Sequence, residues 1–160
     1  MKKFGQALGV VNADAMRVRS FELGGHTFKV KIPLTSEYDA MYKRMEVIDE
    51  EKVLAYYLES TKDLIASRPE VDKEDGSIKY SDDDVVVMGR SMREAARTRY
   101  ATEARIIEMF KLLVPEEEGF DMTTIDYSMI DELFPLSIQL QLVEEIANVV
   151  SPSYKEARGK

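Results

Sequence analysis

Leu23-Gly24-Gly25-His26 sits between two runs in which apolar and polar residues alternate, and this leaves residues 18–32 few folds to choose from. A Gly-Gly pair supplies the positive φ angles of a two-residue hairpin turn. The turn pairs Leu23 with His26, Phe21 with Phe28 and Arg19 with Val30. In that register Phe21, Leu23, Phe28, Val30 and Ile32 share one face, and Ser20, Glu22, Thr27, Lys29 and Lys31 share the other. Turn chemistry and alternation agree, so a β-hairpin is expected over 18–32. Two strands alone are marginal in water, so the apolar face needs a cover. The first long helix is the expected one.

The rest of the chain reads as helix and loop. Residues 1–16 are weakly patterned and are expected to form a flexible N-terminal arm. Pro33 ends the second strand, and Thr35 or Ser36 can cap a helix from near Glu37 that carries Tyr38, Met41, Met45 and Ile48 on one stripe. Asp49 either caps a second helix or is passed through. Val53, Leu54, Tyr57, Leu58, Thr61, Leu64 and Ile65 continue an apolar face to about Ser67. An acidic loop occupies 68–84, with Ile78 and Tyr80 as a short strand inside it.

Ser81 and the three aspartates after it read as a helix start, because a hydroxyl caps free N–H groups and carboxylates favour the positive end of the helix dipole. The helix is expected from Asp82 to about Leu113. At 100° per residue, Met88, Met92, Ala95, Ile106, Phe110 and Leu113 share one side. Arg99 and Glu103 fall in the middle of that side. Either they form an ion pair inside an interface or the helix kinks near Arg97 to Tyr100. Met88, Met92, Arg99, Glu103, Ile106 and Phe110 are accordingly the candidate partner-binding residues.

A second acidic loop is expected over 116–121, then a short helix from Asp126 or Ser128. Leu136, Ile138, Leu140 and Leu142 alternate like a strand, but the length of Leu136 to Val150 favours a helix ended before Pro152. The fold class is mainly α: a single mostly helical domain over 17–160 with an N-terminal β-hairpin.

Composition narrows function. The 160 residues include no cysteine, which removes disulfides, thiolate zinc sites and cysteine nucleophiles together. Twenty-two basic against 30 acidic residues leave a net charge of −8, which disfavours nucleic acid and anionic membrane as partners. Arg90, Arg93 and Arg97, with Arg105 nearby, form a basic stripe expected to be solvated and locally paired, as in Arg90–Glu94. No run approaches the ~18 apolar residues of a membrane span, and residues 4–16 lack the apolar segment of an export signal. A cytoplasmic location is expected.

Catalytic and metal signatures are missing. The one histidine, His26, lies beside the hairpin turn with no nucleophile elbow near it. If Gly76 is read as the sixth residue of a calcium loop, Val71 and Lys73 fall where carboxylates are required. Neither phosphate-loop pattern occurs. No catalytic residue, cofactor or metal is expected. Nine methionines are many, and flexible thioethers suit both irregular cores and adaptable binding faces.

Three stretches together carry a family resemblance. FELGGHTFKVKIPLTSEYDAMYKRM, Phe21 to Met45, resembles the start of tail assembly chaperones of long-tailed (siphophage-type) bacteriophages. DGSIKYSDDD resembles the segment that follows in such proteins, and FPLSIQLQLVEEIANVVSPSYKEARGK, Phe134 to Lys160, resembles their C-terminal helix and tail. The resemblance implies a protein without catalytic residues that binds the tape measure protein, keeps it soluble and helps bring tail tube subunits to it. It implies action in the host cytoplasm and absence from the mature virion. Many members also exist as a frameshifted long form, and Gly159-Lys160 is a dipeptide slippery codons can encode. Self-association is a further expectation. The rival readings are a structural tail completion or connector-type virion protein, and a regulatory DNA-binding domain using the arginine stripe.

Overall fold

The hairpin forms in the expected register. In the computed structural model, which describes residues 4–66 and 78–151, β1 (Val18–Leu23) pairs antiparallel with β2 (His26–Lys31). Phe21 lies opposite Phe28 and Leu23 opposite His26. Gly24 and Gly25 take φ of 61° and 81°, the left-handed conformation that a side chain at either position would strain. The rings of Phe21 and Phe28 stack with centroids 5.4 Å apart.

Two short helices precede the hairpin, α1 (Phe4–Ala7) and α2 (Ala13–Met16), and neither buries a residue. After it come α3 (Thr35–Glu46) and α4 (Glu50–Ala66). The start of α3 is not capped by Thr35 or Ser36. Glu37 reaches back one turn and accepts the Leu34 amide at 2.8 Å, half of a capping box with an apolar residue in the cap position. That bond, with the Arg17 guanidinium beside it, holds the Glu37 carboxyl below its ordinary value against the opposing effect of burial. Asp49 does cap α4, accepting from the amides of Glu51 and Lys52 at 3.1 and 3.3 Å.

The helix expected from Asp82 begins ten residues later. A three-stranded antiparallel sheet comes first, formed by β3 (Ile78–Tyr80), β4 (Val85–Val87) and β5 (Arg90–Ser91) in that order. Met88 and Gly89 make the tight turn, at φ 52° and 81°. Val85-Val86-Val87 explains the difference, since three β-branched residues favour a strand. Only then does α5 (Met92–Phe110) start, and it runs without a break through Arg97 to Tyr100. Ser91 caps it, accepting the Glu94 amide at 3.2 Å. Asp84 supports the same terminus from outside the helix. It accepts the Arg93 and Val85 amides at 3.1 and 2.8 Å and the Ser91 hydroxyl at 2.5 Å. Burial pushes its carboxyl up, but these bonds outweigh burial and leave it below the ordinary value.

Beyond α5 the chain returns to the hairpin. Val30 and Leu113 form an antiparallel bridge, with the Lys31 amide donating to the Leu112 carbonyl at 2.9 Å and the Val114 amide to the Lys29 carbonyl at 2.8 Å. The edge of β2 is therefore covered by residues 112–114, which carry no strand pattern. A single 3₁₀ turn, Met122–Thr124, leads to α6 (Tyr127–Asp131), capped by Asp126 through the Met129 amide at 3.0 Å. The last described element is α7 (Leu136–Val150), a helix as its length suggested.

The molecule is mainly α, and it divides into two compact units. The first unit comprises Met1–Lys43 and Ile106–Lys160, and the second Arg44–Arg105. In the first unit the hairpin packs on α7, and not on the first long helix as expected. Val30, Leu142 and Ile146 are fully buried there, with Met41, Ile106, Met109, Phe110, Ile130 and Val143 close to it. In the second unit Val53, Tyr57 and Ala96 form the core, and Tyr56, Met92 and Tyr100 pack on them.

Candidate functional site

The six residues expected to meet a partner do not share one surface. Ile106 and Phe110 are 1% and 4% exposed in the first unit's core. Met92 packs on the second unit's core, and Met88 stands 79% exposed in the β4–β5 turn. The helical phase that grouped them assumed that Met88 is helical, and it is not.

Arg99 and Glu103 do form the ion pair, at 3.0 Å. Glu103 is buried and also accepts the Tyr56 hydroxyl. The Arg99 guanidinium lies 3.9 Å from the centroid of the Tyr56 ring and 3.7 Å from Glu59. Burial pulls the Arg99 pKa down, but the bond to Glu103 and the charges of Glu103 and Glu59 outweigh it and raise it. Arg99 remains half exposed, so the two ends of this pair differ in cost. Glu103→Leu strips acceptors from Arg99 and Tyr56 at a buried site and should cost about 1–3 kcal/mol. Arg99→Met should cost about 1 kcal/mol or less, since water screens the exposed end. Urea melts of both single variants and the double variant check this. Equal losses at the two positions would contradict the asymmetry.

Two arginines of the stripe, Arg93 and Arg97, are bound by the chain itself. Arg97 binds both carboxylate oxygens of Glu50, at 2.8 and 3.0 Å. Arg93 donates to the Asp83 carbonyl and lies 4.4 Å from the Tyr57 ring centroid. Arg90 is on β5 rather than the helix, and the Arg90–Glu94 pair does not form.

An open apolar concavity lies where sequence reasoning did not look, between the hairpin and α7. Leu23, Gly24, His26 and Phe28 form one wall, and Phe134, Ile138, Gln141 and Leu142 the other, around a cleft of about 530 Å³. The alternation of the hairpin puts Leu23 and Phe28 there, and the helical spacing of 138, 141 and 142, with Phe134 from the turn before α7, puts the second wall opposite. Phe134 is anchored by its edge-on contact with Phe110, centroids 6.0 Å apart. Leu133, Leu136 and Leu140 lie exposed at the start of α7 and just before it. The His26 ring packs edge-on against Phe28 at 4.6 Å, with Nε2 3.8 Å from Glu116.

The same helix carries a buried amide. Gln139 is fully enclosed, accepts the Tyr127 hydroxyl at 2.8 Å, and donates to the Phe134 carbonyl at 2.7 Å and to Asp131 at 3.2 Å. These bonds fix α6 and the 132–135 turn against α7, and so fix the Phe134 side of the cleft.

Among the described residues, no three His, Asp or Glu side chains are grouped to hold a metal, and no helix is long and apolar enough to cross a membrane. The first half of the calcium-loop candidate over 72–82, residues 72–77, and most of the first acidic loop lie outside the described residues. No protein-family model, curated protein or solved structure matches the chain.

Proposed function

We propose that this chain is a tail assembly chaperone of a long-tailed bacteriophage, and that it holds the tape measure protein through the hairpin–α7 cleft. The cleft carries the reading, because it is a preformed apolar groove on a strongly acidic protein. An aggregation-prone helical partner needs its apolar stripe covered, and a groove lined by Leu23, Phe28, Ile138 and Leu142 covers one. The net charge of −8 keeps the loaded complex soluble by repulsion between complexes. The Phe21–Met45 and Phe134–Lys160 stretches that resemble such chaperones supply both walls of the groove. In this reading the protein works in the host cytoplasm, catalyses nothing, and hands its cargo to tail tube subunits without entering the finished particle.

Coexpression with the tape measure protein tests the proposal. The partner should be soluble with the wild-type chain and aggregate without it. Leu23→Asp, which places a charge in the groove wall, should abolish that protection while the chain keeps its circular dichroism spectrum. Binding should persist at moderate salt, because apolar burial is barely screened. Recovery of this chain as a stoichiometric part of mature tails would replace the reading with a structural tail completion or connector-type protein.

A further inference from the structure

A second apolar surface is left open on α4. Leu54, Leu58 and Ile65 are 43%, 51% and 47% exposed. At 100° per residue they fall within about 40° of one another, on a flank of α4 that borders buried Thr61, and Leu58 and Ile65 also line a shallow concavity with Tyr80 and Val85. Ile48, in the turn before the helix, is also 44% exposed. The stripe is flanked at one end by Glu51 and at the other by Lys62, both exposed and neither ion-paired within the described residues.

We propose that this stripe pairs antiparallel with the same stripe of a second copy of the chain. A two-fold axis passing between residues 56 and 57 makes the surface self-complementary, as a symmetric dimer requires. Glu51 of each copy then faces Lys62 of the other, so two opposite-charge pairs form at once. Ile65 falls opposite Ile48, and Leu58 falls opposite Ala55, whose small side chain lets the helices approach closely. Leu54 and Leu58 of both copies meet at the centre. Glu50 does not oppose the pairing, because it already binds Arg97. From Leu54 to Ile65 the stripe rises only about 17 Å, so the interface is smaller than those of permanent dimers and the association is weak and reversible.

Sedimentation equilibrium of the full chain alone, without any partner, tests this separately from the groove. The wild-type chain should show a monomer–dimer equilibrium with a Kd of roughly 10–1000 µM. Lys62→Glu and Glu51→Lys should each weaken it about tenfold at low salt, since each turns two attractions into two repulsions. The double variant Glu51→Lys/Lys62→Glu should recover the wild-type Kd to within about threefold, and 1 M salt should erase the differences. Leu58→Asp should remove dimerisation, with thermal melts reporting that each variant is folded. A chain that stays monomeric to about 1 mM, or single reversals that leave Kd unchanged, or a double variant no tighter than the singles, would overturn the proposal.

Discussion

Leu142→Ala should lower unfolding free energy by about 2–5 kcal/mol, the largest loss expected from any single truncation here. Leu142 is fully buried on α7 and also forms part of the cleft floor. Truncation removes its transfer free energy and leaves a void that a helix face packed against a hairpin cannot easily close. Urea unfolding followed by circular dichroism gives the value directly. The same variant deepens the groove, so it should weaken cargo binding even at temperatures where it is fully folded. A loss below about 1 kcal/mol would mean that the α7–hairpin packing is not where the first unit's stability lies.

Gln139→Leu is the second large effect, and it tests polarity instead of volume. Leucine fills nearly the same space, so no cavity forms. The variant takes an acceptor from Tyr127 and a donor from the Phe134 carbonyl, both part-buried. Removing one partner of a buried hydrogen bond costs more than the bond itself contributes, and a total of about 2–4 kcal/mol is expected. Asp131 contributes little to that sum, because it is exposed and water replaces the lost donor. Differential scanning calorimetry should show a lowered midpoint, and Gln139→Glu should be comparably poor because it buries a charge. A Gln139→Leu protein at least as stable as wild type would show that these bonds are worth less than an apolar contact.

Local signals were legible where one turn or cap decides the outcome. Gly24-Gly25 fixed the hairpin register because its two positive φ angles and the alternation on either side demand the same pairing. Asp49 and Asp126 marked true helix starts. The Ser81-Asp82-Asp83-Asp84 run misled for a physical reason. Asp84 does support a helix N-terminus, but that of a helix beginning at Met92, across a short hairpin. Two signals could have corrected this: the β-branched run Val85-Val86-Val87 ahead of Gly89, and the Ser91-x-x-Glu94 capping pattern.

The candidate site was harder to read because its parts are far apart in sequence. Nothing near Leu23 indicates that Ile138 will stand opposite it, and nothing near Leu113 indicates that it will bridge to Val30. Of the apolar side read for α5, Met92, Ile106 and Phe110 serve the chain's own cores, while Met88 and Leu113 lie outside the helix. Periodicity reports that a face will be buried and does not say against what.

The Val30–Leu113 bridge also orders events in time. The first unit is discontinuous: its hairpin is made early, and the residues that close the hairpin edge and cover its face come after an insertion running from Arg44 to Arg105. A ribosome adding about 5–20 residues per second therefore releases the hairpin several seconds before Leu113 and α7 exist. During that interval β2 offers unpaired amides along one edge, the usual template for intermolecular pairing. The second unit is complete in sequence before then and can fold while the hairpin waits. The exposed Lys29 on the open strand, with Glu22 and Lys31 on the same face, then acts as a guard on a nascent edge as well as part of the polar face of the finished hairpin.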